Sequence, residues 1–143
     1  MRIFGTIGTD GRFPCLCPTA LDQAKALGPQ VFALVESLAL NQALGQIFEL
    51  VKAINIYLLE QSTPWREAKV KNMARVETIL DQALEALRLA AVLLQPVLPE
   101  RMTELWQRLG WQPTTIERDL AWGSLRPSVK IESGEVLFPK TGQ

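Results

Sequence analysis

Apolar residues recur at three- and four-residue intervals through most of this chain, and punctuation by Gly and Pro divides the pattern into segments. From residue 19, with Thr19 as N-cap, a stripe runs through Leu21, Ala24 and Leu27; Gly28-Pro29 interrupts it, and Val31, Leu34, Val35 and Leu38 resume it. This predicts a short helix, a break and a longer helix. Leu44, Ile47, Phe48, Val51, Ile54 and Leu58 share the face of a second long helix, with Glu49, Lys52 and Glu60 off that face. Thr63-Pro64 ends it, because proline restricts the residue before it and withdraws an amide donor.

The clearest periodicity lies over 72–95, where Val76, Ile79, Leu80, Ala83, Leu84, Leu87, Ala91 and Leu94 form one stripe. Arg75, Asp81, Glu85 and Arg88 fall between them and read as a solvated face. Pro96 and Pro99 stop that helix. A shorter one over 100–110 presents Met102, Leu105, Trp106 and Leu109 and ends at Gly110. The fold class that follows is all-α: a bundle of about four helices occupying 19–143, preceded by an irregular leader over 1–18 and closed by a C-terminal tail. In that tail, Trp111 onward, Pro113, Gly123, Pro127, Gly134 and Pro139 predict irregular chain packed across the bundle, with at most one short strand.

Composition narrows the function. A chain of 143 residues, 48% apolar and 21% charged, is one domain's worth of core. Fifteen basic and fifteen acidic residues cancel and the pI is 6.3, so any contact with a polyanion must be local. Cys15 and Cys17 are too close for an unstrained mutual disulfide and supply only half of a zinc set. They read as reduced structural thiols, or as ligands shared with a partner, in a cytoplasmic protein. No run of about 18 apolar residues and no signal-peptide pattern occurs, which predicts a soluble chain without a membrane partner.

Catalytic and metal residues are expected to be none, and cofactors none. The sequence has no histidine for a nucleophile pair or a metal site, and no Gly-rich phosphate loop. Asp81 and Glu85, four apart on one helix, are either a metal pair or ordinary surface charge. Residues 55–69 stand out instead. Trp65 follows the helix-ending Pro64, and Arg66, Lys69, Lys71 and Arg75 surround it against Glu67 alone. An aromatic ring beside local cations is how unpaired bases and their phosphates are held. The alternative is that Trp65 caps the helix junction, Asn55 satisfies buried backbone groups and Tyr57 is a boundary residue with its hydroxyl in water.

These residues also carry a resemblance. Ala53-Ile54-Asn55-Ile56-Tyr57 followed by Pro64-Trp65-Arg66-Glu67-Ala68-Lys69 resembles the Ala-x-Asn-x-Tyr and Pro-Trp-x-x-Ala-Lys signature of methionyl-tRNA synthetase anticodon-binding domains. Leu84-Glu85-Ala86-Leu87-Arg88, then 93–99, Leu109-Gly110, Trp122-Gly123 and 137–140 resemble later elements of that family in order and spacing. The resemblance implies a helical domain that inspects the anticodon loop of methionine tRNA. Trp65 would stack on a base, Arg66 and Lys69 contact phosphate or sugar, and Asn55 shape the pocket or read a base edge. The family's His-Ile-Gly-His and Lys-Met-Ser-Lys-Ser signatures do not occur, so no enzymatic activity is expected without a catalytic synthetase domain in trans. On this alignment the family's Asn-x-x-x-Arg helix falls before residue 1. The rival expectation is an interaction module, docking on such a catalytic domain or forming a homodimer, or else an inactive fragment.

Overall fold

The computed structural model describes residues 18–125 and 131–142, so Cys15, Cys17 and the rest of the leader lie outside the described residues. Helix α1 (Pro18–Glu36) and helix α2 (Leu40–Ile56) form a hairpin. A π-helical turn (Tyr57–Ser62) leads into the short α3 (Pro64–Lys69). Helix α4 (Met73–Leu94) is the central element: α2, α3, α5 (Pro99–Arg108) and the single turn α6 (Ile116–Asp119) all pack against it. Among the described residues there is no strand, so the all-α expectation holds.

The α1–α2 junction shows how the chain turns without glycine. Leu38 adopts φ 61°, its amide donates to Val35 O and the Ala39 amide donates to Leu34 O, which closes the carbonyl end of α1. The same arrangement ends α5 at Gly110, as the sequence predicts, with the Trp111 amide reaching Trp106 O.

The core is continuous from Ala24, Leu27 and Val31 of α1 through Ile47, Leu50 and Ile54 of α2 to Ala86, Leu89 and Leu93 of α4, with Met102 and Trp106 of α5 at its far side. Residues 88–94 of α4 are all buried. A helix surrounded on every side needs no polar face.

Three expectations change. Gly28-Pro29 does not break α1, which stays helical through Pro29. An interior proline costs about 3 kcal/mol, and burial of Leu27 and Val31 on either side offsets that, each apolar side chain contributing about 1.5–3 kcal/mol. Gly28 has a packing reason, since a Cβ there would stand 3.1 Å from Leu120 Cδ1. Secondly, Glu85 and Arg88 are not on a solvated face; both side chains are fully buried. Thirdly, Tyr57 is no boundary residue, because its hydroxyl donates to Gln82 Oε1 at 3.1 Å inside the bundle.

The burial of Glu85 and Arg88 is explained by the C-terminal segment. Glu85 Oε1 accepts from Arg88 Nη2 (2.8 Å) and from the amides of Gly123 (2.8 Å) and Ser124 (3.0 Å), while Oε2 accepts from Leu125 N (3.0 Å). Gly123, at φ 89°, provides the left-handed backbone that aims successive amides at one carboxylate. Arg88 completes the clamp by donating to the carbonyls of Asp119 and Ala121 and lies over the Trp111 ring, 4.9 Å from its centroid. Farther on, the Glu132 amide donates to Arg108 O and Arg108 Nη1 donates to Glu135 O, so the tail is strapped to α5 as well.

Candidate nucleic-acid interface

The segment singled out by the sequence folds as a corner at one end of the bundle. Ile54 and Tyr57 are buried and anchor the end of α2, and Tyr57 packs with Ile79 of α4. Between that anchor and Pro64 the backbone widens into the π turn and then reverses at Thr63, which adopts φ 38° and ψ 64°. Single π turns inside helices recur at functional positions, where an extra residue re-aims the side chains that follow. Pro64 then occupies the first helical position of α3, where its missing amide costs nothing.

Helix α3 has six residues and buries none of its side chains. Trp65 is 45% exposed, whereas Trp106, Trp111 and Trp122 pack in or against the core. Trp106 and Trp111 also meet edge to face at 5.5 Å. The Trp65 ring therefore leans on the bundle with part of its surface and offers the rest to solvent.

Helical spacing puts Lys69 four residues from Trp65 and three from Arg66, so the three share one side of α3. Arg66, Lys69 and Lys71 are exposed and form no ion pair among the described residues. Arg75 does not join them. Its Nε lies 3.4 Å from Glu67 Oε1, and Glu67 Oε2 accepts from Asn72 Nδ2 at 3.2 Å. Three of the four cations near Trp65 thus face solvent, and the fourth is drawn back by the single nearby acid. Asn55 is also exposed, which rules out a role in satisfying buried backbone. It stands near the end of α2, two residues before the π turn begins.

Periodicity did not single out two features here. Val70 (72% exposed) and Met73 (61% exposed) add apolar surface beside the cations, and Lys71 sits at φ 59° with its amide donating to Ala68 O. The sequence signal for the latter is only the short interval between a six-residue helix and the Asn72 N-cap of α4. No group of three or more metal-ligating side chains occurs among the described residues, and Glu85 is committed to Arg88 and backbone amides. No described helix is long and apolar enough to cross a membrane.

No protein-family model matches the chain. Individual relatives do. The methionine--tRNA ligase of Deinococcus radiodurans is 36% identical over 118 residues, covering 82% of this chain and 17% of the relative. That of a Nostoc species is 42% identical over 125 residues, covering 82% and 23%. The crystal structure of free methionyl-tRNA synthetase from Mycobacterium tuberculosis superimposes with a TM-score of 0.78 at 27% identity, over 90% of this chain and 26% of that one. The chain thus spans about a fifth of the length of the curated relatives it matches, within their C-terminal region. The order of motifs, the all-α architecture and these similarities together place the chain in the methionyl-tRNA synthetase family, as a counterpart of its helical anticodon-binding domain.

Proposed function

We propose that this chain binds the anticodon loop of methionine tRNA at the α3 corner, and that it supports methionylation in the cytoplasm only together with a catalytic domain. The observation that carries the reading is the exposed Trp65 ring set on a short helix beside exposed Arg66 and Lys69, which form no ion pair among the described residues. A base stacked on Trp65 contributes about 1–3 kcal/mol. Arg66 and Lys69 neutralise adjacent phosphates, and Asn55 meets a base edge or shapes the pocket floor. With one stacking ring and a few screened cations, binding by this chain alone is weak, roughly tens of micromolar. On this reading the chemistry of methionine activation falls to the catalytic domain, and the corner supplies only contacts to RNA.

Fluorescence anisotropy of a labelled methionine anticodon stem-loop tests the reading. Saturable binding that weakens on scrambling the anticodon supports it. Equal binding of both loops would reduce the corner to a non-specific polyanion site.

A second reading keeps one observation of its own. Phe32, Val35, Leu38 and Leu40, close in sequence about the α1–α2 turn, are each exposed, Leu38 by 84%, and exposed apolar residues gathered in this way are a feature of docking sites. Docking on a separate catalytic domain accounts for it. Size-exclusion chromatography with light scattering of a mixture of the two shows a complex if that reading holds and two separate species if it does not.

A further inference from the structure

Helix α3 carries the proposed contact residues, and none of its side chains is fully buried, so the partial packing of Trp65 on the bundle leaves room for a polar contact to set where the ring points. The geometry points to Glu67 as the positioning residue of the corner: through Asn72 and Arg75 it locks α3 onto the start of α4 and so holds Trp65 in place for a base. This rests on the RNA-binding reading and deepens it.

Glu67 lies on α3 away from the exposed cations, and its side chain is largely shielded, as is that of Arg75, with 23% and 15% of their surfaces exposed. One carboxylate oxygen pairs with Arg75 Nε on α4; the other accepts from Asn72 Nδ2 at the N-cap of α4. The backbone reinforces the same link, because the Asn72 amide donates to Glu67 O at 3.0 Å. Of the two contacts the Asn72 hydrogen bond supplies the direction, while the Arg75 contact, at 3.4 Å, is a charge pair that shielding from solvent strengthens. Glu67 also holds the charge of Arg75 back from the exposed face, leaving Arg66, Lys69 and Lys71 to meet phosphates.

Positioning and bulk electrostatics predict opposite signs. Replacing Glu67 adds one positive charge to the corner, so electrostatics alone predicts tighter RNA binding. Loss of positioning predicts weaker binding, because a base gains its stacking energy only if the ring is already oriented. The experiment uses Glu67→Ala and Glu67→Gln in the full chain, with two readouts. Hydrogen exchange of the 66–72 amides reports the α3 lock without any RNA. Anisotropy with the methionine anticodon stem-loop reports the consequence.

The expected result is faster exchange confined to 66–72, core amides of α4 unchanged, and RNA binding weakened roughly fivefold to tenfold in Glu67→Ala, part of the stacking contribution. Glu67→Gln, which keeps an acceptor for Asn72, recovers part of both losses. Unchanged exchange in both variants overturns the positioning role, as does tighter RNA binding by either one. If the parent chain binds no RNA, the binding proposal falls while the exchange data still decide whether Glu67 fixes α3.

Discussion

Replacing Arg88 with Met strips the counter-charge from the most deeply buried ion pair in the described fold. Glu85 would keep the amides of Gly123, Ser124 and Leu125 but lose both guanidinium donors, and Asp119 and Ala121 would lose a donor each to their carbonyls. Removing one partner of a buried pair costs about 3–5 kcal/mol, because the remaining charge is left uncompensated. A domain's whole stability is about 5–15 kcal/mol. For a chain of this size the loss corresponds to a fall in Tm of about 10–15 °C.

The pH dependence makes the prediction sharper. Burial pushes the Glu85 carboxyl up, but the hydrogen bond and charge of Arg88 and the amides of Leu125 and Ser124 more than offset this, so its pKa lies below the ordinary 4.5. A group whose pKa is lowered by folding stabilises the fold fully above its unfolded value, and that contribution fades as pH falls through the folded one. The parent therefore loses the contribution only below pH 4.5. Without Arg88 the burial effect is opposed by the amides alone, the carboxyl takes up a proton at higher pH, and the penalty of the substitution shrinks as the solution is acidified. Thermal unfolding followed by circular dichroism at neutral pH and near pH 4 measures both effects. A Tm within about 2 °C of the parent at neutral pH, less than the shift for 1 kcal/mol, would refute the clamp. So would a penalty independent of pH.

Four further outcomes follow from named contacts. Trp65→Ala should weaken binding of the methionine anticodon stem-loop by roughly 5- to 150-fold, the equivalent of 1–3 kcal/mol, measured below the unfolding transition of both proteins. Lys69→Ala should reduce the slope of log affinity against log salt by about 0.7, the value for one single-strand phosphate contact, in anisotropy titrations across salt. Tyr57→Phe should cost about 1 kcal/mol in urea unfolding by removing the hydrogen bond to Gln82. Leu38→Gly should raise Tm, since it relieves a left-handed strain of about 1–2 kcal/mol while losing only an exposed side chain; a lower Tm would mean that Leu38 packs on something.

Long stripes proved legible because a 3.6-residue period encodes which face is buried. The 72–95 pattern became Met73–Leu94, and the 100–110 pattern became Pro99–Arg108. Gly28-Pro29 was misread because local propensity cannot see Leu120, the residue that follows α6, packing against the glycine. Glu85 and Arg88 were misread for a related reason. Polar residues between apolar positions look solvated unless one knows that residues 119–125 return to cover them with backbone donors and acceptors. Both ends of that clamp, 84–88 and Trp122-Gly123, were already among the motifs that carry the family resemblance, which marked them without explaining them. At the α3 corner the spacing of Trp65, Arg66 and Lys69 is legible directly, because intervals of three and four residues put them on one side of any helix. The withdrawal of Arg75 by Glu67 was not legible, because it depends on the left-handed step at Lys71 between α3 and α4.

The most direct test of the central claim is a titration of the parent chain and of Trp65→Ala with the methionine anticodon stem-loop, following tryptophan emission. The account predicts saturable quenching in the parent that is largely lost in the variant, because Trp106, Trp111 and Trp122 are packed with the core. Equal quenching in both proteins, or none at about 100 micromolar RNA where weak binding of this kind should approach saturation, would contradict it.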